Sequence, residues 1–391
     1  MRIRIEGYVH ATSLSQWVMG AWICLVLAVG QTGAQESIPP AAQGIYVSAH
    51  TVGSARIGPL VDGLIKAGGN ALVFDVKDRL GRLSYQSEVA LAEQIDASAR
   101  AQINNPQQLV GSWRQRGLYI VARLTCFHDA LLAQKRPDLV PLSRKGNGLW
   151  SEKGTVNWVD PALPEVQQYL IDLALEVAAL GVDEIQLDYV RFPTGGDLSD
   201  AVFSFDPAAL PKDAVITDFV RRVHEALAPM GTRLSADVFG VAAWGSQVDV
   251  SRIGQNLPDL FAHLDVVSPM LYPSHFESGF DRIPSPVDYP YYFLYQGCRR
   301  LRTLAEEHGV EVRPWVQSFD YRVKDFDASY ISEQLYGAEA GGARGWLLWN
   351  SASRYDIGLQ AIAQFLDGTS PVLDRSVRFP SPLGALLPTD F

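Results

Sequence analysis

PEVQQYLIDLALEVAALGVDEIQLDYVRFP, residues 164–193, holds two periodicities in succession, and the change between them decides the fold. Val166, Leu170, Leu173, Val177 and Leu180 recur at steps of three and four, the spacing of one apolar face of an α-helix. Pro164 stands in the first turn, where its missing N–H costs little, and Gly181 marks the end. From Glu184 the pattern becomes a short apolar run with β-branched and aromatic residues, read as a strand over 184–193. A helix feeding a strand through a glycine is one step of a parallel sheet.

Outward from this step the alternation repeats. Strands are read at 44–50, 71–78, 118–127, 184–193, 233–240, 266–273, 312–319 and 345–350, with helices at 56–67, 106–116, 214–229, 291–308, 328–340 and 357–366. Eight such units predict an α/β fold, a single (β/α)8 TIM barrel over residues 44–367, because closure removes the sheet edges that an open sheet must protect. The competing architecture is a doubly wound open sheet, whose first strand is expected to lead into a phosphate loop. Here it leads into His50-Thr51-Val52-Gly53-Ser54, which has neither G-x-G-x-x-G nor a Walker lysine.

The flanks read differently. Arg2 and Arg4 precede an apolar run of about 14 residues that ends in Thr32-Gly33-Ala34. This is the pattern of a signal peptide (1–34), too short for the roughly 20 residues of a membrane-spanning helix. It predicts cleavage after Ala34 and export to the periplasm or beyond, with no stable membrane insertion afterwards. Residues 35–43 read as a linker and 368–391 as a Pro-rich tail that wraps the surface or hangs loose. A chain that is 47% hydrophobic and 19% charged has ample core, which excludes global disorder. Its net charge of −10 argues against a nucleic-acid partner, since phosphate binding needs clustered cations. Cys126 and Cys298 read as separate buried thiols rather than a disulfide or zinc site.

Barrels of this kind carry their chemistry at the C-terminal ends of strands. Strand two ends in Asp75-Val76-Lys77, strand three contains Arg123, and strand four ends in Gln186-Leu187-Asp188-Tyr189-Val190-Arg191. Strand five ends in Asp237-Val238-Phe239, strand six in Tyr272, strand seven has Trp315 and Gln317, and strand eight closes on Trp349-Asn350. Only strand one contributes no obvious group. Side chains alternate along a strand, so Gln186 and Asp188 should share a face, as should Asp75 and Lys77.

Two carboxylates on neighbouring strands suit glycoside hydrolysis, which needs one to attack or assist at the sugar carbon and the other to protonate the departing oxygen. An acid beside Arg123 or Arg191 is held ionised, and one packed on Trp244 or Phe239 is held protonated. Asp188 is therefore read as nucleophile and Asp237 as acid/base, with an ion pair to Lys77 or Arg123 as the structural alternative for Asp237. Trp158, Trp244, Tyr272, Trp315 and Trp349 are candidates for stacking on sugar rings, with Tyr272 and Trp349 preferred because they end strands. Asp75, Lys77, Arg123, Tyr189, Arg191, Gln317 and Asn350 complete the expected substrate-binding rim. No H-x-H or H-E-x-x-H motif and no G-x-S-x-G elbow is present, so neither a metal, a cofactor nor a serine nucleophile is implied.

The run Asn157-Trp158-Val159-Asp160-Pro161, then Pro164-Glu165-Val166, then 181–193 with its Asp-Tyr-x-Arg-Phe-Pro segment at 188–193, resembles the putative glycoside hydrolase domain family. These are bacterial barrels similar to the α-amylase and α-galactosidase superfamily. The likeness extends from Gly44-Ile45-Tyr46-Val47 to Gly345-Trp346-Leu347-Leu348-Trp349-Asn350. It implies that Asp188 is the strand-four nucleophile and that a carbohydrate is the substrate. Amylases use a strand-five glutamate as acid, where this chain has the shorter Asp237. Two other classes remain in view: a barrel that binds sugar without cutting it, and an envelope scaffold using its outer helices. The separation of the carboxylates discriminates the first, since glycosidases keep theirs about 5 to 9.5 Å apart. An exposed apolar helix face would favour the second.

Overall fold

In the computed structural model the first and last strands are neighbours. Residues 41–146, 148–245, 251–370 and 378–379 are described, so the expected signal peptide and most of the expected linker lie outside the described residues. β1 (Ala42–Val47) pairs in parallel with β2 (Ala71–Lys77) and with β8 (Gly345–Trp349), Gly44 lying between Ala71 and Leu347. β3 (Tyr119–Thr125), β4 (Glu184–Asp188), β5 (Arg233–Phe239) and β6 (Val266–Met270) follow, each parallel to the one before. β7 comes in two segments, Glu311–Val312 and Trp315–Gln317, separated at Pro314, which has no N–H for the ladder. The first segment pairs with β6 and the second with β8 and β6, which completes the ring. The predicted (β/α)8 barrel is therefore the fold.

The helices stand where their stripes placed them, Ala328–Ala340 with unchanged limits and Pro164–Ala178 burying Val166, Leu170, Leu173 and Val177. Between β5 and β6 the short helix Leu257–Phe261 has too few turns to show a stripe in the sequence. β4 stops at Asp188 rather than continuing to 193, because Tyr189 takes a left-handed φ of 51° and turns the chain. Cys126 and Cys298 are buried free thiols, as read. Of the expected tail, the described Arg378 and Phe379 lie against the barrel helices. Arg378 pairs with Glu333 at 2.7 and 2.8 Å, and the ring of Phe379 packs against Tyr291 at 5.4 Å. No helix among the described residues is long and apolar enough to cross a membrane.

Alternation along the strands divides two cores. Leu72, Phe74, Ile120, Ala122, Ile185, Leu187, Leu234 and Ala236 face the helices, whereas Ala71, Val73, Val121, Trp315 and Leu347 face the barrel interior. The interior is capped by charge at both ends. At the N-terminal end Arg313 donates to Glu184 Oε1 at 2.5 Å, Ser235 donates to the same oxygen, and Tyr119 donates to Oε2 at 2.9 Å. Burial acts to raise the Glu184 carboxyl, but Arg313, the Ser235 hydrogen bond and the nearby Arg233 charge outweigh it and hold the group below the usual glutamate range. Its contribution to stability is present above the unfolded-state pKa and is lost as pH falls through the folded one.

Removing one member of such a pair strands a buried charge. Arg313→Met is expected to cost about 3–5 kcal/mol, and adding Glu184→Gln should recover much of it. Chemical denaturation of both variants checks this. A single variant that is nearly neutral, or a double variant no better than the single, would contradict the account.

Candidate active site

β2 to β5 run side by side, and near their C-terminal ends they bring together Asp75, Arg123, Asp188 and Asp237. The register sets Arg123 opposite Asp75 on one side and Gln186 on the other, while Leu187 opposite Ala236 brings Asp188 and Asp237 to one level. Arg123 is the hub. Its Nη1 donates to Asp75 Oδ1 at 2.5 Å, Nε donates to Asp188 Oδ2 at 3.1 Å with Nη2 on the same oxygen, and Asp237 Oδ2 lies 3.9 Å from Nε. Since Asp188 Oδ2 and Asp237 Oδ2 both flank this one nitrogen, they are at most about 7 Å apart.

Each carboxylate has a second, different partner. Tyr46 donates to Asp75 Oδ2 at 2.5 Å, the Tyr189 amide to Asp188 Oδ1 at 2.6 Å, and Trp315 Nε1 to Asp237 Oδ1 at 2.7 Å. Asp237 is 2% exposed and Asp188 7%. Burial, then the neighbouring Asp188 charge, pushes the Asp237 carboxyl well above the usual aspartate range against the pull of Arg123 and Trp315. Burial raises Asp75 too, opposed by Arg123 and Tyr46. One guanidinium faces three buried carboxyls, so the cluster holds a proton that an exposed set would release.

The aromatic rim surrounds this hub. Trp349 stacks on Tyr46 with centroids 4.1 Å apart and lies under the Arg123 guanidinium at 5.1 Å. Tyr272, buried in the barrel mouth, sits 5.3 Å from the exposed His275 ring. Arg191, expected as a charge partner for the carboxylates, stacks instead on Phe239 at 4.5 Å, Trp158 at 5.0 Å and Tyr189 at 5.2 Å. Burial lowers its pKa, and its Nη1 donates to the Phe192 carbonyl at 3.0 Å.

Four expected rim residues are not brought to the hub. A register shift between Asp75 and Lys77 breaks the alternation that made them face-mates, and Lys77 is sealed against Asp129 at 2.8 Å and the Thr125 carbonyl. Gln317 is fully buried, accepting from the Ser274 amide at 3.1 Å and donating to the Phe319 carbonyl at 2.9 Å. Asn350 folds a turn, donating to the Ser318 carbonyl at 2.7 Å and accepting from the Ala352 amide. Trp244 donates to Asp281 at 2.7 Å inside a cluster of Phe276, Phe280 and Phe293, and offers no face to the carboxylates. Of the other stacking candidates, Trp315 is buried with its N–H on Asp237 and Trp158 is buried under Arg191. Strand one, read as silent, supplies Tyr46. Its signal was there, a polar-tipped aromatic two residues past the inward Gly44. Among the described residues no group of three or more His, Cys, Asp or Glu side chains is arranged to hold a metal ion.

The family model described as "Putative glycosyl hydrolase domain" matches residues 44–355. Among solved structures, the PgaB (BpsB) glycoside hydrolase domain from Bordetella bronchiseptica superposes with a TM-score of 0.63 at 14% identity, covering 86% of this chain and 100% of that one. An α-galactosidase from Thermus thermophilus gives 0.50 at 17% identity, covering 86% and 64%. A hypothetical protein from Ruminiclostridium thermocellum is 33% identical over 50% of this chain and 97% of its own, with a TM-score of 0.45. No curated protein matches the sequence.

The raised Asp237 carboxyl has a signature in solution. A folded-state pKa above the unfolded one favours the folded state at low pH, and that advantage is lost as pH rises from the usual aspartate range towards the raised value. Asp237→Asn cannot ionise and its amide oxygen still accepts from Trp315. Its melting temperature relative to wild type should therefore climb as pH rises from about 4 to 8. A difference that stays flat over that window would refute the assignment.

Proposed function

The chain belongs to the family described as "Putative glycosyl hydrolase domain", and from that premise we propose that it hydrolyses glycosidic bonds with Asp188 as nucleophile and Asp237 as acid/base. The observation that carries this reading is the pair itself. Two aspartates on adjacent strand ends flank one arginine nitrogen, and their surroundings differ in the sense that acid and nucleophile require. Their oxygens are no more than about 7 Å apart, below the upper end of the spacing glycosidases use, which supports a catalytic pair over a barrel that only binds.

Local hydrogen bonding selects the attacking atom. Asp188 Oδ2 accepts two N–H groups of Arg123, which occupies both of its lone pairs, whereas Oδ1 accepts only the Tyr189 amide and keeps one free. Oδ1 of Asp188 attacks the anomeric carbon while the bond to the leaving oxygen breaks, and the Asp237 proton passes to that oxygen. Water then adds to the anomeric carbon, returning its proton to Asp237 and releasing Asp188. Two displacements retain the anomeric configuration. Trp349, half-buried at the mouth, offers a face for a sugar ring. The leader pattern read in residues 1–34 supports an activity outside the cytoplasm, where polymeric carbohydrate is met.

Release of reducing ends from α-glucans, galactans and amino-sugar polymers tests the reading. Wild type should cut at least one polymer, and Asp188→Asn should lose on the order of 10³-fold or more in kcat while still unfolding cooperatively, at a lower temperature because its NH2 must face the Arg123 or the Tyr189 N–H. Asp237→Asn should lose far more activity on that polymer than on an aryl glycoside whose leaving group needs no proton. Equal activity of wild type and Asp188→Asn would remove the nucleophile, and no cleavage by wild type would favour a binding role.

A further inference from the structure

Next to the carboxylates, between the ends of β5 and β6, lies a pouch of about 190 Å³ lined by Phe239, Gly240, Val241, Met270, Tyr272, His275 and Phe276. That is on the order of six water volumes. Carbon makes most of its wall. The backbone forms the floor, since a side chain at Gly240 would meet the Met270 carbonyl oxygen at 2.4 Å. Phe239 lies two residues beyond Asp237, and Tyr272 is close enough to the hub for the Asp237 and Asp188 charges to help burial raise its hydroxyl pKa. The pouch therefore lies beside the reacting centre.

Two polar groups interrupt the apolar wall, and neither is consumed by the protein. The Tyr272 side chain is 7% exposed, yet its hydroxyl has no hydrogen-bond partner among the described residues. His275 meets Ser274 Oγ through Nδ1 at 3.1 Å, leaving Nε2 without a partner among the described residues. The raised tyrosine stays protonated as a donor. Burial, with help from Arg322, lowers His275, so its imidazole is neutral near neutral pH. An empty apolar recess with a hydroxyl donor and an imidazole nitrogen is complementary to one common sugar substituent. An acetamido group has a methyl to bury, a carbonyl to accept from a hydroxyl, and an N–H to donate. A free ammonium would lose its hydration to a carbon wall with no carboxylate among its lining residues, and a plain hydroxyl would leave the recess unfilled.

We propose that this pouch is an acetamido subsite and that the substrate of the barrel is an N-acetylated amino-sugar glycan. The assignment rests on the reading of the hub as a glycosidase site and gives that site its substrate class. On the other side of His275, a wider bay of about 600 Å³ runs past Phe319, Tyr321 and Trp349, so a chain could extend from the pouch over the tryptophan face.

Saturation-transfer NMR on the full chain, with methyl α- and β-glycosides of N-acetylglucosamine, glucosamine and glucose, tests this without assuming a linkage. The acetyl methyl should receive the strongest transfer, and the acetylated sugar should bind about 10-fold or more tightly than the other two. Val241→Phe, which fills the pouch, should abolish that preference, and Tyr272→Phe should reduce it while both keep the wild-type melting curve. If either variant melts early, competition among the three sugars on wild type still decides. Equal binding of acetylated and unsubstituted sugars overturns the subsite and leaves the glycosidase reading standing. No transfer to any sugar counts against both.

Discussion

Arg123 is the constraint on which the barrel mouth depends. A guanidinium buried at the centre of a closed sheet is tolerable only if its N–H groups meet acceptors, and here Asp75 and Asp188 flank it from β2 and β4 while Asp237 approaches from β5. The strand register makes these approaches possible, since a slip of one residue would turn each side chain into the helix-facing core. Stacking of Arg123 over Trp349, and of Trp349 on Tyr46, carries the constraint across to β8 and β1. The same residue that orders the carboxylates thus orders the aromatic face beside them.

The fold was legible because it is written in repeated, local patterns. The apolar stripe ending at Gly181 and the run from Glu184 each announce an element without reference to anything distant. The site was partly legible for a similar reason. Barrel strands deliver their ends to one rim, so Asp75, Arg123, Asp188 and Asp237 were expected together, and they are together. What failed required knowledge of single backbone events. One register shift after Asp75 sent Lys77 to Asp129, and the left-handed Tyr189 ended β4 and carried Arg191 onto a bed of aromatic rings. Gln317 and Asn350 misled because a polar side chain at a strand end satisfies nearby backbone as readily as it meets a ligand.

Tyr189 shows how such an event serves the site. A bulky residue at positive φ is strained, and such strain persists only where surrounding contacts impose it. Its ring is held between His128 at 5.0 Å and the Arg191 guanidinium, and its amide is turned back onto Asp188 Oδ1. A regular continuation of β4 would direct that N–H into the ladder. The turn instead gives Asp188 a donor on its outer oxygen while Arg123 holds the inner one, fixing the plane of the carboxylate from two sides.

The two charged ends of the barrel show why one stabilises and the other is suited to chemistry. Glu184 and Arg313 are as deeply buried as Arg123 and its partners, but there a single carboxylate meets a single guanidinium, with Ser235 and Tyr119 donating to the same carboxylate. Charge balances, and the acid is held below its ordinary range. At the rim three carboxyls share one cation, so balance fails and burial holds Asp237 and Asp75 above theirs. The sheet and its burial are common to both ends. The difference is the number of acids per base, and an excess of acids beside a hydrogen-bonded aspartate leaves a retained proton near a carboxylate, the combination that protonating a leaving group while attacking its carbon requires.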